Sequence, residues 1–457
     1  MTVAREIFKA YDIRGIVDKQ LTEQSVLLIG RAIGSEAKSK GLEEIVIGRD
    51  GRLSGPMLSA ALAQGLRESG LNVIDVGMVA TPMLYFASYQ WTQFTGVMVT
   101  GSHNPPEYNG FKIVLGGETL SGEAIQALRL RIENNQFTEG HGSYREANID
   151  QLYRDTITKD VHLHKPLKIV VDCGSGIPGR FAPDLYRQLG CEVIELFCEV
   201  DGHFPHHHPD PSQPENLEDL VACVKREQAD LGLAFDGDGD RLGVVTALGE
   251  IIYPDRQLML FAQDVLSRNP GATILFDVKC TRHLFSWIRR FNGEPLIWKT
   301  GHSLIKAKMK ETHALLAGEM SGHVFFKERW FGFDDGLYAG ARLLEILSAT
   351  DNPTATLEAL PNSICTPELQ IKLEEGENKT LISALQEFGK FELAEDILTL
   401  DGVRVEYKDG FGLARSSNTT PVVVLRFEAD NNVALDRIKE DFRTNILKIF
   451  PGANLPY

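Results

Sequence analysis

The sequence predicts an α/β protein: three similar mixed α/β domains, each with a βαβαβ core, followed by a smaller α+β domain. Three observations lead there. The chain has 457 residues, too many for one ordinary core and suited to two to four domains. A pattern of short apolar, β-branched runs separated by helical stretches occurs three times in series. After about Ser363 that pattern gives way to alternating strands.

The first set of runs is EIVIG (44–48), LNVIDVG (71–77) and GVMVT (96–100). The second is KIVVD (168–172), CEVIEL (191–196) and LGLAF (231–235). The third is TILFD (273–277), PLIWK (295–299) and ALLAG (314–318). Short continuous apolar runs between helices read as buried parallel strands, and three βαβαβ units in series imply three related domains. In the last part, LQIKL (369–373), VRVEY (403–407) and PVVVLRFE (421–428) alternate as half-buried strands do. Residues 434–449 read as a closing amphipathic helix. The boundaries expected are 1–147, 148–250, 251–362 and 363–457.

Bulk properties narrow the class. Apolar content is 43%, enough for a large core, and no apolar run reaches the ~18 residues of a membrane span. The first residues, MTVAREIFKAYDIRG, carry charges where an export signal needs an apolar stretch. Six scattered cysteines without a C-x-x-C spacing read as free thiols in a reducing compartment. A cytoplasmic enzyme is expected. The formal net charge of −16 repels nucleic acid and anionic membranes. An anionic substrate would need cations gathered locally.

Ligands of α/β units bind beyond the carboxyl ends of the strands, which directs attention to the loops after the third run of each set: TGSHNPPEYNGFK, DGDGDR and GEMSGHVFF. Gly, Asp, Ser and Pro are turn residues, but three such loops in equivalent places exceed what turns require. In DGDGD, Asp236, Asp238 and Asp240 alternate with glycines, so three carboxylates can converge on one cation. Oxygen ligands select Mg²⁺ or Ca²⁺ over zinc. The EF-hand reading fails because Arg241 and Ala247 stand where Gly and Glu are needed. In TGSHNP, Ser102 follows a glycine just past a buried strand, where its hydroxyl can be exposed; His103 is adjacent and Lys112 lies further on. The hydrolase elbow G-x-S-x-G is absent. His103 is the candidate helper, although a histidine adjacent in sequence rarely points back at its neighbour. In GEMSGH, Glu319 and Ser321 alternate, with His323 after a glycine; a carboxylate and a hydroxyl on such a loop can accept from and donate to sugar hydroxyls. The loop GLARSSNTTP (412–421) sets Arg415 beside Ser, Asn and Thr donors that suit a phosphate.

Two features point elsewhere and are set aside. Gly174–Gly179 spells G-x-G-x-x-G with Glu195 about 20 residues on, but Pro178 stands where a helix should open with free amides. The segment HFPHHHPDP lacks a helical i, i+4 histidine pair and reads as a solvated loop.

Taken in order, TGSHNP, DGDGDR, GEMSGH and RSSNTTP resemble the phosphoserine, metal, sugar-specificity and phosphate-binding loops of the α-D-phosphohexomutase family. The similarity is greatest to its bacterial phosphomannomutase/phosphoglucomutase branch and runs from Tyr11 to the end of the chain. The resemblance implies four domains around a central active-site cleft, with Ser102 carrying a phosphoryl group. It implies that Asp236, Asp238 and Asp240 bind Mg²⁺ together with an oxygen on Ser102. Tyr11, Arg14, His103, Lys112, Arg241 and Lys279 would line the transfer site. His302, Glu319, Ser321 and His323 would contact the sugar. Arg415, Ser417, Asn418 and Thr419 would hold the phosphate not being transferred.

The implied reaction moves a phosphoryl group between the 1- and 6-positions of a hexose phosphate through a glucose or mannose 1,6-bisphosphate. A phosphoglucosamine mutase is the nearest rival; its sugar loop resembles GEQSGH, and Met320 here favours the hexose branch. A metal-dependent sugar phosphatase would share the serine and the metal. A sugar-phosphate sensor would need no DGDGD. No nucleic-acid or membrane partner is expected, and monomer and dimer are both open.

Overall fold

A computed structural model describes residues 3–374, 376–417 and 420–457. The nine expected runs form strands whose ends lie within two residues of expectation. They are Glu44–Arg49, Asn72–Met78 and Gly96–Val99; Lys168–Asp172, Glu192–Leu196 and Leu231–Phe235; and Thr273–Asp277, Glu294–Trp298 and Leu316–Gly318. In each set the first strand lies between the second and the third, all parallel. The threefold pattern in sequence is thus a threefold topology.

Each set is then extended by a strand running the other way. Tyr108–Leu115 pairs with Gly96–Val99, Leu242–Thr246 with Leu231–Phe235, and Val324–Phe326 with Leu316–Gly318. The sheets are therefore mixed, and the three conspicuous loops join strand to strand, not strand to helix. The apolar segments that follow them, FKIVL, LGVVT and VFF, are buried throughout and carry the β-branched and aromatic residues that favour strands.

The helices are amphipathic. Glu23–Ser39 opens with a capping box in which Thr22 and Ser25 satisfy each other's backbone amides. It packs on Gly55–Glu68 at glycines: a Cβ at Gly65 would stand 2.2 Å from the Leu27 carbonyl oxygen.

The first three units share one apolar core, in which Trp330 stacks on Tyr338 at 4.2 Å and on Phe86 at 5.8 Å, with Tyr153 edge-on to Phe86. Aromatic burial on this scale, worth ~1.5–3 kcal/mol per side chain, ties them into one body. The fourth unit has its own core and an antiparallel sheet of Leu369–Lys372, Val403–Tyr407, Gly410–Ser416 and Val422–Ala429, extended by the short strands Ile364–Cys365 and Asp396–Leu398 and closed by the helix Asn432–Ile449. The helix Glu377–Phe388 and the strand Gly410–Ser416 were not anticipated.

GLARSSNTTP is not a loop throughout, because Arg415 and Ser416 end that strand, paired with Val424 and Val423. In the histidine segment His203 and His206 are exposed, as a solvated loop requires, but some of its rings have partners. His207 sits 3.1 Å from the Asp172 carboxylate and His206 stacks on Phe197. Pro178 lies in the short 3-10 helix Ile177–Arg180, so Gly174–Gly179 opens no long helix of the dinucleotide type.

Candidate active site

The carboxyl edges of the first three sheets meet, and the three loops converge there. Thr100 donates to Asp50 Oδ2 at 2.7 Å and accepts from the Ser102 amide at 2.8 Å. Ser102 adopts φ +49°, a left-handed turn uncommon for a residue with a side chain. Its Oγ then donates to Asp236 Oδ2 at 2.9 Å. Gly237 is required beneath it, because a Cβ there would stand 2.4 Å from the Ser102 carbonyl oxygen.

Ser102 is not exposed as expected. Only 2% of it is accessible, since the DGDGD loop covers it and leaves access through the cleft. His103 does turn back, with Nδ1 3.3 Å from Ser102 Oγ. The left-handed bend at Ser102 reverses the geometry that adjacent residues ordinarily have.

The three aspartates are fully buried, and each offers an oxygen within 4.8 Å of the others. Asp236 Oδ1 accepts from the amides of Gly239, Asp240 and Arg241. Lys112 donates to Asp238 and Asp240, and Thr81 to Asp238. Among the described residues Asp238 Oδ1 has no hydrogen-bond partner. A buried carboxylate oxygen left open in a cluster of three is costly unless a cation completes it. The all-oxygen donor set and its spacing fit a hard divalent ion of the Mg²⁺ type.

Charge is arranged accordingly. Burial and the neighbouring Asp240 and Asp238 push the Asp236 carboxyl up. Burial would depress Lys112, but Asp238 and Asp240 hold it above its ordinary value. Burial together with Arg241 and Arg14 keeps His103 well below the usual imidazole range, hence neutral. Against its burial, His323 is pushed up to about 9 by Asp240 and by its bond to Glu319. It lies 3.3 Å from Asp240 Oδ1 and 3.1 Å from Glu319 Oε2.

Two cavities of about 500 and 570 Å³ open on this edge and share Tyr11, His103, Arg241, His302 and His323. The first adds Arg14, Ser102 and Lys112, and Thr420 of the fourth unit also lines it. The second adds Lys279, Glu319 and Ser321. Ser321 Oγ lies 2.9 Å from His323 Nδ1. Tyr11 donates to the Thr300 carbonyl at 2.9 Å. Together they make one cleft with cations towards both ends, the local concentration of positive charge that a strongly acidic chain needs.

Arg415 is buried and pairs with Asp401 at 3.1 Å, on the fourth unit's side; it lines neither cavity. Ser417 follows the strand end, and Asn418 and Thr419 lie outside the described residues.

The comparisons with known proteins agree in order and extent. Residues 5–139, 149–249 and 253–363 match the phosphoglucomutase/phosphomannomutase alpha/beta/alpha domains I, II and III, and residues 368–445 match the C-terminal domain of the same family. The chain belongs to the phosphoglucomutase/phosphomannomutase family. It is 60% identical to a phosphoglucomutase of Neisseria gonorrhoeae over 97% of each chain. To a phosphomannomutase/phosphoglucomutase of Pseudomonas aeruginosa it is 58% identical, over 100% of this chain and 98% of that one. The crystal structure of a family protein from Burkholderia thailandensis superposes with a TM-score of 0.96 at 57% identity, covering all of both chains.

Sequence reasoning passed over Arg52. Its guanidinium is fully buried and donates to the carbonyls of Ser102 (2.8 Å), Asn104, Pro105 (2.6 Å) and Tyr108 (2.9 Å), with Asp50 3.3 Å from its Nε. One side chain thus holds the backbone of the whole serine loop, and a Cβ at Gly101 would collide with it at 2.4 Å. A signal was present: GRDGRLSG follows the first run of the first set, at the same carboxyl edge.

Lysine cannot reach four carbonyls. Arg52→Lys is therefore expected to lower kcat about a hundredfold with KM within about threefold, because a displacement near 1 Å at the reacting group costs that much. Steady-state kinetics beside a melting curve checks this; an unchanged kcat in a folded variant contradicts it.

Proposed function

We propose that this enzyme catalyses reversible phosphoryl transfer between the 1- and 6-positions of hexose phosphates, using both glucose and mannose. Transfer runs through phospho-Ser102 and a 1,6-bisphosphate, and Asp236, Asp238, Asp240 and an oxygen on Ser102 would hold Mg²⁺. The observation that carries this reading is the contact of Ser102 Oγ with Asp236, at 2.9 Å, on the floor of a cleft with cations towards both ends. The high-identity relatives named phosphoglucomutase and phosphomannomutase/phosphoglucomutase support it. Among the described residues no helix is long and apolar enough to cross a membrane, and we propose a cytoplasmic location.

In the first half-reaction the bond between phosphorus and Ser102 Oγ breaks as a sugar hydroxyl oxygen bonds to phosphorus; the sugar hydroxyl gives up its proton and the departing Oγ takes one, leaving Ser102 as a neutral hydroxyl. The product is a bisphosphate. It turns over in the cleft and presents its other phosphate, from which Ser102 Oγ takes the phosphoryl group and loses a proton in turn. His103, 3.3 Å from Oγ, stands where that proton can be received. Bound Mg²⁺ would supply positive charge to the phosphoryl oxygens as it does in phosphoryl transfer generally. Arg14, Lys112 and Arg241 neutralise the transferring group from the protein side. Lys279, expected at the transfer site, lines the cavity of Glu319 and Ser321 and not that of Ser102, so with Arg415 and the segment 417–419 it would grip the opposite phosphate, and Glu319, Ser321, His302 and His323 would hold the ring.

Glucose and mannose differ only in configuration at C2. If Glu319 and Ser321 bind the 3- and 4-hydroxyls, one unread hydroxyl is worth little, and efficiencies on the two 1-phosphates should lie within about one to two powers of ten. A coupled assay on glucose 1-phosphate, mannose 1-phosphate and glucosamine 1-phosphate checks this. Glu319→Ala should lower both hexose activities alike. Selective loss of one would show that the loop reads C2, and preference for the amino sugar or release of inorganic phosphate would replace the reading.

A further inference from the structure

The turn that carries Lys279 is held from outside its own sheet. Lys279 follows the strand Thr273–Asp277 and lines the sugar-side cavity, where its Nζ lies 3.0 Å from Glu368 of the fourth unit. Its neighbours on either side, Val278 and Cys280, present their carbonyls to a single group, Nη1 of Arg404, at 2.7 Å each. Arg404 belongs to the fourth unit's strand Val403–Tyr407 and is fully buried. Its guanidinium lies 3.7 Å over the Phe411 ring and its Nε bonds to Glu406 at 2.6 Å. Val278 packs with Phe411 and Leu413 in a small apolar cluster of its own.

We infer that Arg404 is a positioning residue for Lys279: by bracketing that lysine it makes phosphate affinity in the third unit depend on docking of the fourth. This rests on the mutase reading only in assigning Lys279 to a substrate phosphate. A buried guanidinium is costly to leave unpaired, so the two carbonyls and the arginine hold one another, and the backbone of Lys279 is tethered on both sides. Were the fourth unit to undock, the bracket would open and the ammonium would lose its aim. The fourth unit then acts on substrate twice, through its own phosphate loop and through a lysine it does not carry.

The test is a double-mutant cycle read by calorimetric titration with glucose 6-phosphate and, separately, by turnover. Arg404→Lys can satisfy one carbonyl but lacks the planar fork. It should weaken binding about tenfold, the scale of one charge-assisted hydrogen bond, with kcat within about threefold. In a Lys279→Ala background the same change should have no further effect on Kd, whereas a general loosening of the fold would add its full loss. Should Arg404→Lys fold poorly, Glu406→Gln frees one side of the guanidinium and is read in the same cycle, with the same expected non-additivity. Additive losses in an active wild-type background overturn the role of Arg404 and leave the mutase reading intact. Coupled losses in a chain that binds but does not isomerise overturn the mutase reading alone.

Discussion

Asp238→Asn is expected to cost roughly a hundred- to a thousandfold in kcat, the scale of losing one preorganised electrostatic contact to a transferring group. Asp238 Oδ2 is already committed to the ammonium of Lys112 and the hydroxyl of Thr81, and only Oδ1 is open. An asparagine must therefore turn its NH₂ either towards those two donors or towards the cation. Both arrangements set like against like, and the negative charge is lost in either. Chelation of the wild type should abolish turnover and added Mg²⁺ should restore it. In the variant, much higher Mg²⁺ should be needed for partial recovery. Titration of metal binding by calorimetry, alongside the coupled assay, separates weakened binding from misfolding. Full wild-type activity in excess chelator would contradict the assignment of the aspartate loop.

Ser102→Ala should lose at least ~10³-fold in turnover, because removing a covalent nucleophile removes the pathway rather than one stabilising contact. Fold stability should hardly change. The side chain's bonds are to Asp236 Oδ2 and His103 Nδ1, and alanine meets the same backbone cost as serine at φ +49°. The loop itself is held by Arg52 and Asp50, which the substitution leaves in place. A melting temperature within a few degrees of wild type, with activity gone, is the expected pair of results. A folded Ser102→Ala variant with substantial activity would remove Ser102 from the mechanism.

Much of this was legible in the sequence because of how buried parallel strands are built. A strand covered on both faces must be apolar along its length, so EIVIG, KIVVD and TILFD stand out without any alignment, and a turn rich in Gly and Asp after such a run marks the edge where ligands bind. What escaped notice is equally physical. The antiparallel partner of each third strand follows its loop directly, and short apolar segments do not announce their direction. Ser102 was expected at the surface because burial of a loop depends on what another domain lays over it, here Gly237 and its neighbours. Arg415 reads as a loop residue in sequence because the strand that contains it, GFGLARS, has glycines at Gly410 and Gly412 that weaken a strand signal. Arg52 and Arg404 work through main-chain carbonyls far away in the chain, 50 and about 125 residues distant, and no residue spacing encodes such a contact. His207 gained its Asp172 partner in the same way.

The central claim is that Ser102 carries the phosphoryl group between substrates. Its most direct test incubates the purified chain with glucose 1,6-bisphosphate and Mg²⁺, follows intact mass, and maps the modified peptide before and after a chase with glucose 6-phosphate. The account predicts a single added phosphate on Ser102 that leaves on the chase and is recovered in the sugar bisphosphate. Phosphate found on another residue, or recovered as inorganic phosphate during the chase, would contradict it.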